Sequence, residues 1–321
     1  MKAGVIHKLG DTPRYEDFPD PIVNDGDVTI NVKAVTLDYA IKVIASGTFF
    51  ASKQFFPGFP AVVGYGGVGS LEDGSLVSFQ GIKPPYGSMA EKVTVPKAYA
   101  TPIPRGIDTE QAAAIPSAAL SSLLPLRYRA KLQSGETVLI NGATSPSGML
   151  AVQVARFLGA GRVIGTGRNP ESGEKVKELG ADAFINLNQP DEKLVEALRK
   201  EAGKGYDVIL DYLWGHPTEV ILSSFVPVGL GFASKRTRLI QIGVLAGRVI
   251  QLKSESLGTS GLEIHGFGAS NTPEALAECT RQVWDMIKQG KLSLDIVKFP
   301  LKDIEKAWKL EEHGRRIVII P

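Results

Sequence analysis

The pattern of apolar and polar positions changes near residue 110 of the chain. Before it, short runs separated by Pro and Gly alternate with a period of two, most clearly over Val28–Val35. Lys92–Val95 and Tyr99–Ile103 are further short strand candidates. Alternation of this kind predicts an irregular β-rich unit whose strands each bury one face.

After residue 110 the pattern becomes helical and then regular. Thr109–Lys131 is rich in Ala and Leu and predicts helix, but Pro116 and Pro125 must bend or break it. Six short apolar runs follow, most of them separated by helical patterns, which predicts a doubly wound parallel sheet. The predicted strands are Thr137–Asn141, Arg162–Thr166, Ala183–Ile185, Asp207–Asp211, Arg238–Gly243 and Leu262–Phe267. The predicted helices are Ser147–Leu158, Glu171–Leu179, Asp191–Ala202, Pro217–Phe225 and Pro273–Gln289.

The C-terminal tail returns to mixed structure. Leu301–Glu312 predicts a helix and Arg316–Ile320 a closing strand, and together they are too short to fold alone. We therefore expect the tail to pair with the N-terminal β-rich unit. The expected α/β fold thus has a discontinuous first domain, 1–112 with 290–321, and a second domain over 113–289.

Composition narrows the possible functions. The 321 residues carry a net charge of +2, which provides no strong field for nucleic acid or anionic lipid. The single cysteine, Cys279, excludes a disulfide framework within the chain and a zinc site made of cysteines. No signal-peptide pattern and no run of 18 apolar residues is found, so we expect a cytoplasmic protein without a membrane segment.

A turn of small residues follows the first predicted strand of the sheet and leads into a helix. It comprises Ala143, Thr144, Ser145, Pro146, Ser147 and Gly148. A strand, a small-residue turn and a helix are the context of dinucleotide binding, because helix N-terminal amides bind a pyrophosphate. In the G-x-G-x-x-G register only Gly148 is a glycine, and Pro146 lacks an amide hydrogen. The hydroxyls of the turn are expected to replace the missing glycines and the missing amide hydrogen in binding the pyrophosphate. The alternative is that the turn is a plain helix N-cap without a ligand.

Several stretches together resemble the medium-chain dehydrogenase/reductase superfamily, in particular its zinc-independent quinone oxidoreductase (zeta-crystallin-like) branch. The resemblance covers nearly the whole chain. It implies a GroES-like β-rich domain closed by the C-terminus and a Rossmann domain with a six-stranded parallel sheet. The matching stretches are AVTLDYAIKVIASG (34–47), VGYGGV (63–68), GSMAEKV (87–93), AAAIPSAAL (112–120), SGETVLINGAT (134–144), ELGADAFIN (178–186) and GRRIVII (314–320).

The chain departs from the zinc-dependent relatives of this superfamily. Those relatives place a Cys near Asp38 and a His-Glu pair near Tyr65–Gly66, and many carry four more Cys in a structural zinc loop. This chain has none of these, and its histidines (His7, His216, His265 and His313) lack metal-ligand spacing. We therefore predict no metal. The Asn usual in the quinone oxidoreductase branch is Asp38 here.

The resemblance implies hydride transfer from a reduced nicotinamide to a quinone or to the activated C=C bond of an α,β-unsaturated carbonyl compound. Without zinc, a side-chain donor must stabilise the developing oxyanion. The candidate donors are Tyr65, Tyr39, Tyr86 and Lys42, and Asp38 is a further candidate site residue. Tyr65 stands where zinc-bearing relatives place a histidine ligand, so we expect it near the nicotinamide.

Cofactor choice is predicted from the end of the second strand of the sheet. NAD-binding relatives place an acidic residue about 20 residues after the glycine turn, and this chain has Arg168 there. A guanidinium pairs with a 2′-phosphate, so we predict NADPH, with Lys175 adding charge. The expected cofactor-binding residues also include Gly167, Asn169, Ile242, Gly243, Phe267 and Gly268.

Two alternatives remain open at this stage. The chain could be a zinc-free alcohol or ketone dehydrogenase, or a nucleotide-binding protein with little catalysis. The expected partners are a small quinone or enone and a second copy of the chain, because in the family the last sheet strand pairs across a dimer. Nucleic acid and membrane are not expected as partners.

Overall fold

The computed structural model describes residues 1–227, 229, 231–311 and 314–321. Within them the chain forms two compact units, Met1–Ile115 with Leu294–Pro321, and Pro116–Ser293. The helix over Thr109–Ala114 lies in the first unit, where Ala114 packs with Ala34 and Val318. His313, one of the four histidines, lies outside the described residues.

The first unit consists of two sheets and short helices. A three-stranded antiparallel sheet has the order β2-β1-β4, and a seven-stranded sheet has the order β15-β16-β3-β5-β6-β8, with β7 also on β3. The strands are β1 Lys2–Ile6, β2 Arg14–Asp17, β3 Asp27–Leu37, β4 Ala61–Val62, β5 Gly66–Ser70, β6 Leu76–Gln80, β7 Lys92–Pro96, β8 Ala100–Pro102, β15 Ile296–Pro300 and β16 Arg316–Ile320. The helices are α1 Tyr39–Ala45, α2 Ser52–Phe55, α3 Thr109–Ala114 and α11 Ile304–Lys309.

The last strand of the chain is an inner strand of the seven-stranded sheet. β16 runs antiparallel to β3, with Ile317 opposite Leu37, and parallel to β15. Its side chains alternate between two apolar clusters, with Ile317 and Ile319 in one and Val318 in the other, so both faces of the strand are buried. The helix predicted over Leu301–Glu312 is shorter than expected. A 3₁₀ turn over Leu301–Asp303 precedes α11, and Glu312 lies outside the described residues.

The second unit is a six-stranded sheet with the order β11-β10-β9-β12-β13-β14, and every neighbouring pair is parallel. This is the Rossmann order 3-2-1-4-5-6, which confirms the predicted doubly wound fold. The strands are β9 Thr137–Asn141, β10 Arg162–Gly167, β11 Ala183–Asn186, β12 Val208–Asp211, β13 Ala233–Gln241 and β14 Ser260–Gly266. The helices are α4 Pro116–Leu124, α5 Pro146–Phe157, α6 Pro170–Glu178, α7 Asp191–Ala202, α8 Gly215–Ser223, α9 Ser254–Gly258 and α10 Pro273–Lys288.

Proline determines where the helical stretch after residue 108 is interrupted. Asp108 caps α3 by accepting the amide hydrogen of Gln111 at 3.0 Å. α4 begins at Pro116, and at Pro125 the chain passes into a single wide π-helical turn that ends at Arg129. The ring of a proline cannot donate the helical hydrogen bond, so both breaks are local consequences of the sequence.

Strand β13 begins at Ala233, earlier than the apolar run predicts. The pairing of β13 with β12 starts only at Arg238, whereas its pairing with β14 starts at Ala233. The first half of β13 therefore has one neighbour and a polar sequence, which apolar patterning does not detect. No helix among the described residues has the length and apolar character needed to cross a membrane.

Candidate active site

The turn between β9 and α5 depends on two glycines. Gly142 has a φ of +95°, a conformation open to glycine, and a Cβ there would lie 3.0 Å from the Leu213 side chain. A Cβ on Gly148 would lie 2.2 Å from the Gly142 carbonyl oxygen. Gly148 therefore permits close packing of the helix on the strand, while Gly142 makes the tight turn. In the G-x-G-x-x-G register counted back from Gly148, the first position falls on Ala143, but Ala143 is buried beside β10 and the turn is made by Gly142.

Side-chain hydroxyls surround the N-terminus of α5. The Ser145 hydroxyl accepts the amide hydrogen of Gly148 at 3.1 Å and donates to the Gly142 carbonyl at 2.9 Å, so it serves as the helix cap. Pro146 occupies the first turn of the helix, where its missing N–H costs nothing. Thr144 and Ser147 are half-buried in the same turn. A helix N-terminus bordered by hydroxyls is suited to bind a phosphate.

The end of β10 lies against this turn. A Cβ on Gly167 would lie 2.4 Å from the Thr144 side chain, so only glycine fits there. Arg168 follows and is exposed, and within the described part of the chain no carboxylate lies within ion-pair distance of its guanidinium. The Asn169 side chain accepts the amide hydrogen of Glu171 and caps α6. Lys175, on α6, lies 3.9 Å from a carboxylate oxygen of Glu178.

A buried polar network that the sequence analysis missed joins three strand ends. Thr166 donates to the Asn141 side-chain oxygen at 2.7 Å, and Asn141 donates to Asp211 at 2.9 Å. The Asp211 carboxylate also accepts from Thr218 and from the amides of residues 213 and 214. Burial raises the pKa of this carboxyl, and the hydrogen bonds act in the opposite direction. The network holds the carboxyl edge of the sheet in one arrangement. The buried Thr166 hydroxyl uses its hydrogen in this network.

The remaining predicted cofactor residues follow β13 and β14 at the same edge of the sheet. The amides of Ile242 and Gly243 both donate to the Asp211 carbonyl. A Cβ on Gly243 would lie 2.2 Å from the Tyr212 carbonyl oxygen, which excludes a side chain there. Phe267 and Gly268 form a 3₁₀ turn after β14. Because parallel strands end at one edge, these residues share it with the turn after β9.

In the first unit, Asp38 and Tyr65 come together although 27 positions separate them. The Tyr65 hydroxyl donates to the second Asp38 carboxylate oxygen at 2.9 Å, and the first accepts the amide hydrogen of Ile41 at 3.0 Å. Asp38 is therefore the N-cap of α1 and the anchor of Tyr65. Burial and the Asp38 charge raise the pKa of the phenol, so it remains protonated at neutral pH.

The other catalytic candidates occupy different surroundings. The Lys42 ammonium donates to the Leu310 carbonyl at 3.1 Å, and burial lowers its pKa. Tyr39 is 56% exposed at the start of α1. Tyr86 donates to the Asp20 carbonyl, and its ring packs edge-on against Phe18. Among the predicted catalytic residues, the structure thus groups only Asp38 and Tyr65 through a direct hydrogen bond.

Tyr65 lines an apolar cavity of about 320 Å³ within the first unit. Aromatic and aliphatic side chains form most of its wall, and the lining includes no charged residue. Such a lining suits a neutral, flat and apolar molecule, with the Tyr65 hydroxyl as a polar contact. The lining residues are Ile41, Ile44, Gln54, Phe55, Phe56, Val62, Gly64, Tyr65, Gly81, Ile82, Pro84 and Tyr86.

A buried arginine lies beside this pair and was not among the sequence predictions. Arg316 is 8% exposed, and within the described residues its Nε has no hydrogen-bond partner. The pairing of Ile317 with Leu37 places Arg316 next to Asp38 across the sheet, and its charge acts on Tyr65. A buried guanidinium whose Nε has no hydrogen-bond partner among the described residues is suited to stabilise an anion. The sequence feature that could have identified Arg316 as a site residue is a charged side chain at the start of an otherwise apolar strand.

Metal binding by protein side chains requires a cluster of donors. Among the described residues, no group of three or more His, Cys, Asp or Glu side chains could hold a metal ion. His216 lies 3.0 Å from Asp191, and His265 lies 3.0 Å from Glu263, each within an ion-pair network at the surface of the second unit. Cys279 is buried in α10, and burial raises the pKa of its thiol to about 11.

The second unit has a parallel sheet of Rossmann order, and the last strand of the chain closes the β-rich first unit. This combination is typical of two-domain, nucleotide-binding dehydrogenases and reductases. The family described as zinc-binding dehydrogenase matches residues 146–289. The quinone oxidoreductase of Pseudomonas aeruginosa is 26% identical over 309 residues, covering 91% of this chain and 90% of that protein.

The solved structures extend this similarity over the whole chain. The quinone oxidoreductase of Thermus thermophilus, whose complex with NADPH has also been solved, has a TM-score of 0.80 and 28% identity, with 100% of both chains covered. The chain also matches a segment of a longer relative, a mycocerosic acid synthase-like polyketide synthase of Mycobacterium tuberculosis. That match is 25% identical over 92% of this chain but 14% of the relative. The chain is thus similar to quinone oxidoreductases of the medium-chain dehydrogenase/reductase superfamily, and these similarities support an oxidoreductase.

Proposed function

We propose that this oxidoreductase uses NADPH to reduce a quinone or the activated C=C bond of an α,β-unsaturated carbonyl compound, without zinc. The observation that carries the proposal is the cavity of the first unit, whose lining of aromatic and aliphatic residues has no charged side chain and includes Tyr65. Quinones and enones are neutral, flat and apolar, and each carries a carbonyl oxygen that gains negative charge during reduction. A neutral phenol can donate a hydrogen bond to that oxygen.

The carboxyl edge of the second unit fits a dinucleotide phosphate. Gly148 and Gly167 let α5, the turn and β10 pack closely, because a Cβ on either would clash with the turn. The α5 N-terminus and the hydroxyls of Thr144 and Ser147 are suited to bind the pyrophosphate. Arg168 would hold a 2′-phosphate, since its guanidinium has no carboxylate partner among the described residues. When bound, a reduced nicotinamide supplies a hydride to the electron-poor carbon of the acceptor. The NADPH complex of the Thermus relative supports this cofactor.

The side chains of the first unit would perform three tasks. The apolar wall excludes water and orients the acceptor ring, which strengthens each polar contact made inside the cavity. Tyr65 turns its O–H from Asp38 to the acceptor oxygen and donates a hydrogen bond as negative charge develops there. Asp38 holds the phenol in place before this step, and the start of α1 in turn holds Asp38.

An acceptor panel tests the proposal. NADPH oxidation is followed by absorbance with quinones, cyclic and acyclic enones, and simple ketones of matched size. We expect turnover of quinones or enones and none of the saturated ketones. Turnover of simple ketones would favour a zinc-free ketone dehydrogenase. Tight NADPH binding without turnover of any acceptor would favour a nucleotide-binding protein with little catalysis.

Activity is expected to be independent of metal. The zinc-binding positions of the superfamily correspond here to Asp38 and Tyr65–Gly66, which do not form a zinc site. Dialysis against a chelator should leave kcat/KM within about twofold of its starting value, because the proposed oxyanion donor is a phenol. Stoichiometric zinc by elemental analysis, together with chelator-sensitive activity, would contradict the prediction.

We also predict a homodimer formed through β14. Among the described residues β14 is the outermost strand of the parallel sheet and pairs only with β13, and Ile264 on it is 36% exposed. The outer edge of such a strand presents unpaired backbone groups that a second copy of the same strand can cover. Sedimentation velocity at micromolar concentration should give the dimer mass, and a monomer under these conditions would contradict the prediction.

A further inference from the structure

A row of aromatic side chains extends from the apolar cavity to the surface of the first unit. Phe55 lines the cavity, and its ring centroid lies 6.4 Å from that of Phe49. The Phe49 ring in turn lies 4.4 Å from that of Phe50. Phe50 is 91% exposed, whereas Phe49 packs partly against the core of the unit. We call Phe55, Phe49 and Phe50 the aromatic row.

The exposure of Phe50 has no local structural explanation. Burial of a phenylalanine side chain is favourable, and a ring this exposed gains little of that stabilisation within the chain. Single exposed apolar residues are common, but this one continues a series of rings that starts at a cavity wall. A surface of this kind favours an apolar ligand that covers it when the cavity is filled.

The size of the cavity indicates what that ligand is. A volume of about 320 Å³ lies at the lower end of the roughly 300–1,000 Å³ range of small-ligand pockets. It accommodates a head of one or two rings, so a longer substituent must leave the cavity. The lining contains no charged side chain, and Phe55 belongs to both the lining and the row. A neutral apolar substituent can therefore continue from the cavity along the row.

Building on the proposed function, we propose that the acceptor of this enzyme carries an apolar tail, alkyl or prenyl, that leaves the cavity along Phe55, Phe49 and Phe50. The electron-accepting head binds beside Tyr65, and the tail packs on the exposed rings. The substrate class is therefore a lipophilic quinone or enone rather than a small unsubstituted one. Full burial of a methylene raises affinity roughly fourfold, and contact with one side of a ring contributes a smaller factor, about twofold.

A homologous series of acceptors tests the tail. 2-Methyl-1,4-naphthoquinone and its 3-alkyl derivatives, with chains of increasing length kept below their micelle concentration, are compared by kcat/KM with NADPH. We expect kcat/KM to rise about tenfold or more over the first several carbons, mainly through KM. In Phe50→Ala the gain in kcat/KM from the unsubstituted to the long-chain quinone should be about fivefold smaller. The kcat/KM for the unsubstituted quinone should not change.

A matched variant separates the aromatic row from general surface hydrophobicity. Phe232 is 84% exposed in the second unit, and Phe232→Ala should leave the chain-length dependence unchanged. A flat chain-length profile in the unmodified enzyme, with the parent quinone still reduced, would overturn the tail inference and leave the proposed function intact. If no quinone is reduced, the tail inference is tested instead by measuring the equilibrium binding of the long-chain derivative. Equal affinity for the unmodified protein and Phe50→Ala would overturn the inference, and weaker binding to the variant would support it.

Discussion

Replacing Arg168 by alanine is expected to remove most of the preference for NADPH over NADH. The unmodified enzyme should favour NADPH by at least about tenfold in kcat/KM, because a hydrogen bond to a charged group contributes roughly 1.5–3 kcal/mol. The exposed guanidinium of Arg168 follows β10, where NAD-binding folds place a carboxylate for the ribose hydroxyls. Arg168→Ala should lose roughly 10- to 150-fold with NADPH and leave the kinetics with NADH nearly unchanged.

Lys177→Ala is the matched control for Arg168→Ala. It removes the same charge from the same region, but Lys177 forms an ion pair with Glu174 at 2.9 Å. The cofactor ratio should therefore stay within about twofold of the original value, since surface ion pairs contribute little. Arg168→Lys should retain part of the preference as a point charge without bidentate geometry. Equal use of both cofactors by the unmodified enzyme would refute the assignment.

Tyr65→Phe is expected to lower kcat/KM by about 100-fold with the best acceptor, because removal of an oxyanion donor typically costs about that much. The substitution keeps the ring that lines the cavity and removes only the hydroxyl. The loss should be constant from neutral to moderately alkaline pH, since burial and Asp38 raise the pKa of the phenol. Steady-state kinetics with the acceptor and NADPH measure both effects.

Two further variants separate hydrogen-bond donation from pocket shape. Tyr15 is 38% exposed, close to the 37% of Tyr65, so Tyr15→Phe controls for the loss of a partly exposed hydroxyl in the same unit. Asp38→Asn retains an acceptor for the α1 cap and removes the charge that holds the phenolic proton. We expect it to keep kcat/KM within about threefold. Retention of activity within about threefold in Tyr65→Phe would show that the residue only shapes the cavity.

Much of the second unit could be predicted because its signals are local. Thr137–Asn141 and Asp191–Ala202 were predicted with the observed limits, since an apolar run and an amphipathic helix are visible within a few residues. The cofactor turn was recognised from its small residues, yet the left-handed position belongs to Gly142 rather than to Ala143. A fingerprint read from spacing does not reveal which residue adopts positive φ when the loop geometry departs from the standard register.

The catalytic candidates show where prediction from the sequence stopped. Tyr65 and Asp38 were both selected, but nothing in the sequence indicated that one donates to the other. Lys42 was selected for its charge, and the fold directs its ammonium to the Leu310 carbonyl. The partner of a polar side chain depends on which elements pack together, and that information is spread over the whole chain.

The sequence by itself determined the order of the six strands and of most helices in the second unit, without α9, and the positions of the proline breaks. It also placed Arg168 directly after β10, because periodicity, ring constraints and charge act over a few neighbouring residues. Only the tertiary structure decided that Arg316 lies beside Asp38 and that Phe50 continues a row of rings from a cavity. These arrangements join residues far apart in the chain or orient neighbouring rings. Their geometry follows from packing of complete sheets and helices, which no local pattern encodes.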